Sequence, residues 1–317
     1  MLDVRRLVLL RELSIRGTMT AVARAMNLAP SSVSEQLALL ERETNTVLLR
    51  RAGRTVQLTE AAVALVERTD PILDALEQAE AALVSTGQDL TGRVTLALFQ
   101  SAALTVLPPV LTRLRAEHPG LRLEVVQYEP ETALHETWAR DFDLVVAEQY
   151  PGHAAPHWPG LDRRLLLHDE LQLVVPADLQ SAWDRADPPV AAGQELSALL
   201  ERRPLPWVME PRGTATRHWA EQVCRSAGHE PDVRYVATDL QAHLALVASG
   251  NAVALLPGLM LVEPAARVRC IRLRGRPMRT VFTSTRSSSA GSPAVAAVRA
   301  ALEAVAADLG LTVQTDR

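Results

Sequence analysis

The sequence contains no lysine and two cysteines, Cys224 and Cys270, among its 317 residues. Two cysteines cannot supply a disulfide framework, and they fit a reducing compartment. Without lysine, all 33 basic residues are arginines. Every fixed cation is then a planar fork able to grip phosphate or carboxylate with two bonds. No apolar run reaches membrane-spanning length. The longest apolar region, Ala245 to Val262, is broken by Ser249, Gly250, Asn251, Pro257 and Gly258. The first apolar stretch, Leu7 to Leu10, ends at Arg11 and Glu12, a pattern that does not suit a signal peptide. A cytoplasmic protein with no membrane partner is therefore expected.

What is present is ordinary for a globular chain: 48% apolar and 22% charged residues. That excludes disordered and collagen-like classes, and the length predicts two or more domains. Charge is unevenly spread. Residues 1–58 carry nine arginines against five acids, residues 59–90 one against seven, and residues 91–317 23 against 25. A basic head, an acidic connector and a near-neutral body imply different partners for different parts.

In the head, Leu7, Leu10 and Leu13 define one face of a helix over Asp3–Arg16, ended by Gly17. Thr18 can cap a second helix, Asn27 suits a left-handed turn position, and Leu28 is expected to tuck inward. Pro30 opens a third helix whose buried stripe is Val33, Leu37 and Leu40. Its outer face presents Ser31 and Glu35, with Ser34 and Gln36 at the flanks. A short hairpin follows over Leu48–Leu58, turning at Gly53 and bearing Arg50, Arg51 and Arg54. Two helices about a tight turn, followed by a basic hairpin, form a winged helix-turn-helix. The expected DNA-contacting set is Ser31, Ser32, Ser34, Glu35 and Gln36 in the major groove, with Arg50, Arg51 and Arg54 on phosphate or the adjacent minor groove.

Thr59 opens a long helix to Gly87. Leu65, Thr69, Ile72, Leu76, Ala79 and Leu83 recur at spacings of four and three, a dimerising coiled-coil seam interrupted by Pro71. A symmetric dimer would place two recognition helices on an inverted-repeat operator in double-stranded DNA. Beyond Arg93, strands and helices alternate, as parallel-rich α/β layers do.

The run Thr18-Met-Thr-Ala-Val-Ala-Arg-Ala-Met-Asn-Leu-Ala-Pro-Ser-Ser-Val-Ser-Glu-Gln-Leu-Ala-Leu-Leu-Glu41 resembles the DNA-binding module of LysR-type transcriptional regulators. So do Leu48–Arg54 and the closing Leu58-Thr59-Glu60-Ala61. Further along, the resemblance extends to Leu107-Pro108, to Asp143–Val146 and to Leu246–Pro257, and so covers the chain in order. Three positions depart from the family pattern. Ala29 stands where a capping Thr or Ser is usual, Glu35 where Arg or Gln is common, and Ala62 where Gly is usual.

The resemblance implies an α/β multidomain chain. Its parts are a DNA-binding domain at 1–58, a linker helix at 59–90 and a two-lobed effector domain at 91–317 like a periplasmic binding protein. Lobe one would hold 91–162 and 265–317, and lobe two 163–264. It also implies a homo-oligomer, with paired dimers giving a tetramer. The expected effector-binding residues in the cleft are Gln100, Ser101, Glu148, Arg212, Thr214 and Thr238. Ser101, Thr214 and Thr238 could equally be helix caps, and Glu148 a solvated loop residue. Helix N-termini together with Arg212 predict an effector with an anionic group; Glu148 would add a partner for an amine, making a zwitterion conceivable.

Two other functions fit the sequence less well. An enzyme on an α/β body lacks support, because no nucleophile elbow, P-loop or dinucleotide fingerprint occurs. The resemblance also raises a cysteine redox sensor, since one branch of the family senses peroxide through a cysteine, but Thr214 stands at that position, and Cys224 and Cys270 read as buried apolar residues. His218, Glu221 and Cys224 share a helix but read as structural, so no metal and no cofactor are expected.

Overall fold

The computed structural model describes residues 1–52, 55–84, 90–178, 206–262 and 267–310. Two compact units form, Met1–Thr86 and Gly87–Arg317.

In the first unit, α1 (Val4–Arg16) starts at Asp3, whose carboxylate accepts from the Arg5 N–H at 2.8 Å. It ends at Gly17 with φ 74°. Thr18 caps α2 (Met19–Ala25), and Asn27 takes the left-handed turn with φ 53°. α3 (Pro30–Thr44) begins without a side-chain cap, as Ala29 dictates. Leu7, Leu10, Leu13, Val33, Leu37 and Leu40 close the core. Leu28 does not join it and stays 43% exposed, although its N–H reaches the Ala23 carbonyl at 2.8 Å. The turn is therefore closed by backbone, and the side chain is left outside.

The hairpin pairs β1 (Leu49–Ala52) with β2 (Thr55–Leu58). Thr59 then caps α4 (Glu60–Val84), which continues through Pro71. Ala62, Thr69 and Leu73 are buried, and Arg11 of α1 pairs with Asp70 of α4.

The second unit is built around one long strand. β3 (Gly92–Leu98) lies between β4 (Leu121–Gln127) and β5 (Leu144–Gln149), parallel to both. β6 (Arg164–Pro176) runs through both lobes. Its first half pairs antiparallel with β11 (Met278–Ser284), which also pairs with β5. Its second half lies between β9 (Ala254–Pro257) and β10 (Val268–Arg272). The strand β6 is thus shared, and β10 still belongs with lobe two, beyond the return at 265 read from the sequence. Beside β9, β7 (Trp207–Met209) pairs parallel with β8 (Val233–Val236).

Helices cover the sheets. Between β3 and β4 the chain forms two helices, α5 (Gln100–Thr105) and α6 (Leu107–Glu117). Pro108 and Pro109 have no N–H to continue the ladder across Val106. The remaining helices are α7 (Pro130–Ala139), α8 (Ala215–Ser226), α9 (Leu240–Ala248) and α10 (Pro293–Asp308). Each lobe buries apolar clusters around Leu96, Val145, Leu173 and Leu256.

Where the strands cross, Arg279 of β11 stands directly opposite Asp169 of β6. Both are buried, and Arg279 Nη2 lies 2.7 Å from Asp169 Oδ2. Asp169 Oδ1 in turn accepts the Leu259 N–H at 3.1 Å. Gly258 is pressed against this carboxylate, and a Cβ there would lie 2.6 Å from Asp169 Oδ1. Gly258→Ala should therefore destabilise the chain by about 1–3 kcal/mol, as overpacking does. Gly291→Ala, with open space around it, should leave the urea midpoint nearly unchanged. Equal midpoints for the two variants would contradict this reading of the crossing.

Candidate functional site

In the head, burial of the α3 stripe turns the opposite face to solvent. Ser31, Ser34 and Glu35 are exposed, while Ser32 and Gln36 are half-buried. Gln36 is already engaged: its Oε1 accepts from Arg6 Nε at 3.0 Å. Arg50 and Arg51 are exposed neighbours on β1, and strand geometry sends them to opposite faces of the ribbon. Arg54 lies outside the described residues.

The predicted seam of α4 divides in two. Leu65 packs against the head core and Thr69 is fully buried, its hydroxyl donating to the Leu65 carbonyl at 2.8 Å. These two positions are covered within the chain. Ile72, Leu76 and Ala79 stay exposed. Leu83 lies in α4, but its side chain is outside the description.

Between the lobes of the second unit lie two adjoining cavities of about 350 Å³ and about 170 Å³, which share Glu129, Glu148 and Thr216. Gln100, Ser101, Glu148 and Thr238 line the larger and Thr214 the smaller, so five of the six predicted residues come together. Arg212 does not line either cavity. It is exposed, and its charge acts on Glu221 and Glu230.

The chemistry of these residues differs from the expectation. Ser101 is no cap: it is fully buried, and its Oγ accepts from Arg279 Nη2 at 2.7 Å. Gln100 bridges the lobes, donating to Asp239 Oδ1 at 2.6 Å and accepting the Leu240 N–H at 2.8 Å. Asp239 caps α9, so Thr238 is the exposed residue before the cap. Thr214 caps α8, accepting from the Arg217 N–H at 3.2 Å. At both helix starts, protein groups already occupy part of the N–H set that was to hold an anion.

Glu148 is a cleft acid held in β5, with an ion pair to Arg279. Burial alone would lower the Arg279 pKa, but Glu148 and Asp169 outweigh it and hold the guanidinium charged. Burial pushes the Glu148 carboxyl up, against the pull of Arg279. The Glu210 carboxyl is pushed up to about 7 by burial, with Glu148 and Glu129 adding repulsion. Burial, then Glu131, also raises Glu129. Tyr150 donates to Glu148 Oε1 at 3.4 Å and accepts from the Thr216 hydroxyl at 3.1 Å.

Sequence reasoning missed Arg279, Asp169, Glu129, Glu210 and Tyr150. The available signal was weak, because Asp169 stands between His168 and Glu170 and Arg279 between Met278 and Thr280, so neither is a lone charge in an apolar run. As for the cysteines, Cys224 is buried and its thiol is pushed up to about 12 by burial, far from a reactive thiolate. Cys270 is half-buried, and burial raises its thiol too. Among the described residues, no three His, Cys, Asp or Glu side chains gather as a metal ion requires.

The chain matches known proteins along nearly its whole length. Residues 4–63 match the bacterial regulatory helix-turn-helix protein, lysR family, and residues 87–307 match the LysR substrate binding domain. The HTH-type transcriptional activator IlvY of Salmonella typhimurium is 28% identical over 250 residues, 78% of this chain and 79% of that protein. The transcriptional dual regulator GltC of Bacillus subtilis is 25% identical over 266 residues, 84% of each chain. Full-length OxyR of Pseudomonas aeruginosa, solved as a cysteine variant, shares the fold with a TM-score of 0.70 at 15% identity, over 100% of this chain and 99% of that one. CbnR, solved with its target DNA, has a TM-score of 0.55 at 19% identity, over 96% and 100% of the two chains. The protein belongs to the LysR family of bacterial transcriptional regulators, DNA-binding proteins that carry an effector-binding domain.

Proposed function

We propose that residues 1–58 bind an inverted-repeat operator, that α4 within 59–90 pairs two chains, and that the cleft of 91–317 holds the effector that gates binding. The observation that carries the DNA reading is the exposed polar face of α3, next to an arginine-bearing hairpin, in a head of net charge +4. In this reading Ser31, Ser34 and Glu35 contact base edges. Ser32 and Gln36 sit at the margin, and Arg50, Arg51 and Arg54 neutralise phosphate or enter the minor groove. Gel-shift binding to the DNA upstream of its own gene, at two salt concentrations, tests it.

The chain acts as a regulator and not as an enzyme; its named relatives are transcriptional regulators. Cytoplasmic placement goes with that role. Among the described residues no helix is long and apolar enough to cross a membrane.

For the oligomer, the support is that Ile72 and Leu76 remain 38% and 42% exposed on a helix whose other face is buried. A second copy of α4 would cover them, each side chain contributing at most roughly 1.5–3 kcal/mol, the figure for burial from full exposure. Pairing of the effector domains would then give a tetramer.

Three variants test this reading. Arg51→Ala should weaken binding to all DNA sequences alike and reduce the salt slope by about one unit, whereas Glu35→Gln should change base preference, because a carboxylate accepts from cytosine N4 and repels phosphate. An unchanged salt slope for Arg51→Ala would remove it from the phosphate contacts. Leu76→Asp should lower the particle mass seen by light scattering and weaken operator binding together. Unchanged values of both would remove Leu76 from the interface.

A further inference from the structure

We propose that the effector is a small molecule presenting a protonated nitrogen, an ammonium or guanidinium, which the cleft receives between Glu129 and Glu148 on one lobe and Glu210 on the other. The proposal rests on the reading of this cleft as the effector site, and names the chemical class that fits it.

The charges lining the two cavities carry the argument. Among the described residues, Arg279 is the one arginine that lines them, against Glu129, Glu131, Glu148, Glu210 and Asp239. That arginine is spent. Asp169 and Glu148 both pair with it, and Ser101 accepts from it, so two carboxylates surround one guanidinium at 1% exposure. Arg217, at the start of α8, is committed to Glu221 at 2.6 Å. No arginine among the described residues forms an ion pair with the Glu129 or Glu210 carboxylate, although Arg217 Nη1 donates to the Glu210 carbonyl at 3.1 Å, while Glu131 lies 3.4 Å from His153 Nε2. Asp239 is occupied as a cap and by Gln100.

A carboxylate ligand would therefore meet Glu129, Glu148 and the ionised fraction of Glu210 with no uncommitted cation in the lining. Such a site rejects anions by its own charges as well as selecting cations. A protonated nitrogen finds two carboxylates with no basic partner, and its three or more N–H donors match acceptor-only groups. Burial first, and then the neighbouring carboxylates, raises the Glu129, Glu148 and Glu210 carboxyls, and a cation placed among them would favour their ionised forms. The larger cavity, about 350 Å³, falls within the range for small-molecule sites.

The test uses the purified full-length protein at neutral pH. Putrescine, agmatine and spermidine are titrated by calorimetry, with adipate, which has the same number of methylenes as putrescine, as the anionic match. At least one amine should bind and raise the thermal midpoint, and adipate should not. The double variant Glu129→Gln, Glu210→Gln should bind that amine about tenfold more weakly or worse, since two charge-assisted partners are lost. Its far-ultraviolet circular dichroism should match the parent, showing that the loss is not unfolding. If no amine binds, if adipate binds instead, or if the folded double variant binds the amine as tightly as the parent, the proposal is overturned. Operator binding separates this from the underlying reading. An amine that binds in the cleft without changing operator affinity leaves the ligand class standing and overturns the gating. Adipate that binds and shifts operator affinity does the reverse.

Discussion

The effector domain depends on one buried guanidinium. Arg279 sits where the two crossing strands meet, opposite Asp169, and it reaches Glu148 on β5 and Ser101 on α5. Removing an arginine of this kind from water is costly, and the cost is met only because two carboxylates and a hydroxyl surround it. That requirement propagates outward. Asp169 must stay in place, so Leu259 donates to it and Gly258 leaves room for it. Phe99 presents its ring to the guanidinium, with the centroid 5.0 Å from Cζ. The floor of the cleft is thus a fixed electrostatic object and not a flexible lining.

The same device sets the polarity of the cleft. A lone arginine on the floor would have attracted an anion. Because Asp169 and Glu148 both bind it, the cluster carries a net negative charge, and Glu129 and Glu210 add to it from either side. Helix starts do not reverse this. Asp239 caps α9 with a carboxylate, placing negative charge where the dipole is positive. Of the two lobe-two helix starts at the cleft, α8 begins with a neutral cap, Thr214.

Much of the fold could be read from the sequence, because periodicity reports burial directly. Val33, Leu37 and Leu40 mark the buried face of α3, and Asn27 marks the turn before it, since few residues accept positive φ. The seam of α4 was half legible: the spacing of Leu65, Thr69, Ile72 and Leu76 shows an apolar stripe but not which end α1 covers. The cleft residues at helix starts were legible through the family pattern. The cluster beneath them was not. Asp169 and Arg279 are 110 residues apart, and only the crossing of β6 and β11 makes them neighbours. Arg212 misled for the converse reason. It is two residues from Thr214, yet a residue just before a helix can point away from the cleft its neighbours line.

These constraints also bear on how binding could become motion. A ligand shifts the lobes only by favouring one arrangement over another. Gln100 already joins lobe one to the start of α9, through one donated and one accepted hydrogen bond. Tyr150 and Thr216 make a second hydroxyl link across the cleft. Neither contact answers the repulsion between Glu148 and Glu210, which stand on opposite lobes; after burial, the Glu148 charge is what raises the Glu210 carboxyl. Repulsion across the cleft favours separation, whereas the hydrogen bonds favour approach. A charge placed between the carboxylates changes the first term without touching the second. The balance between lobes is therefore most sensitive to ligand charge at the point where the acidic groups face one another.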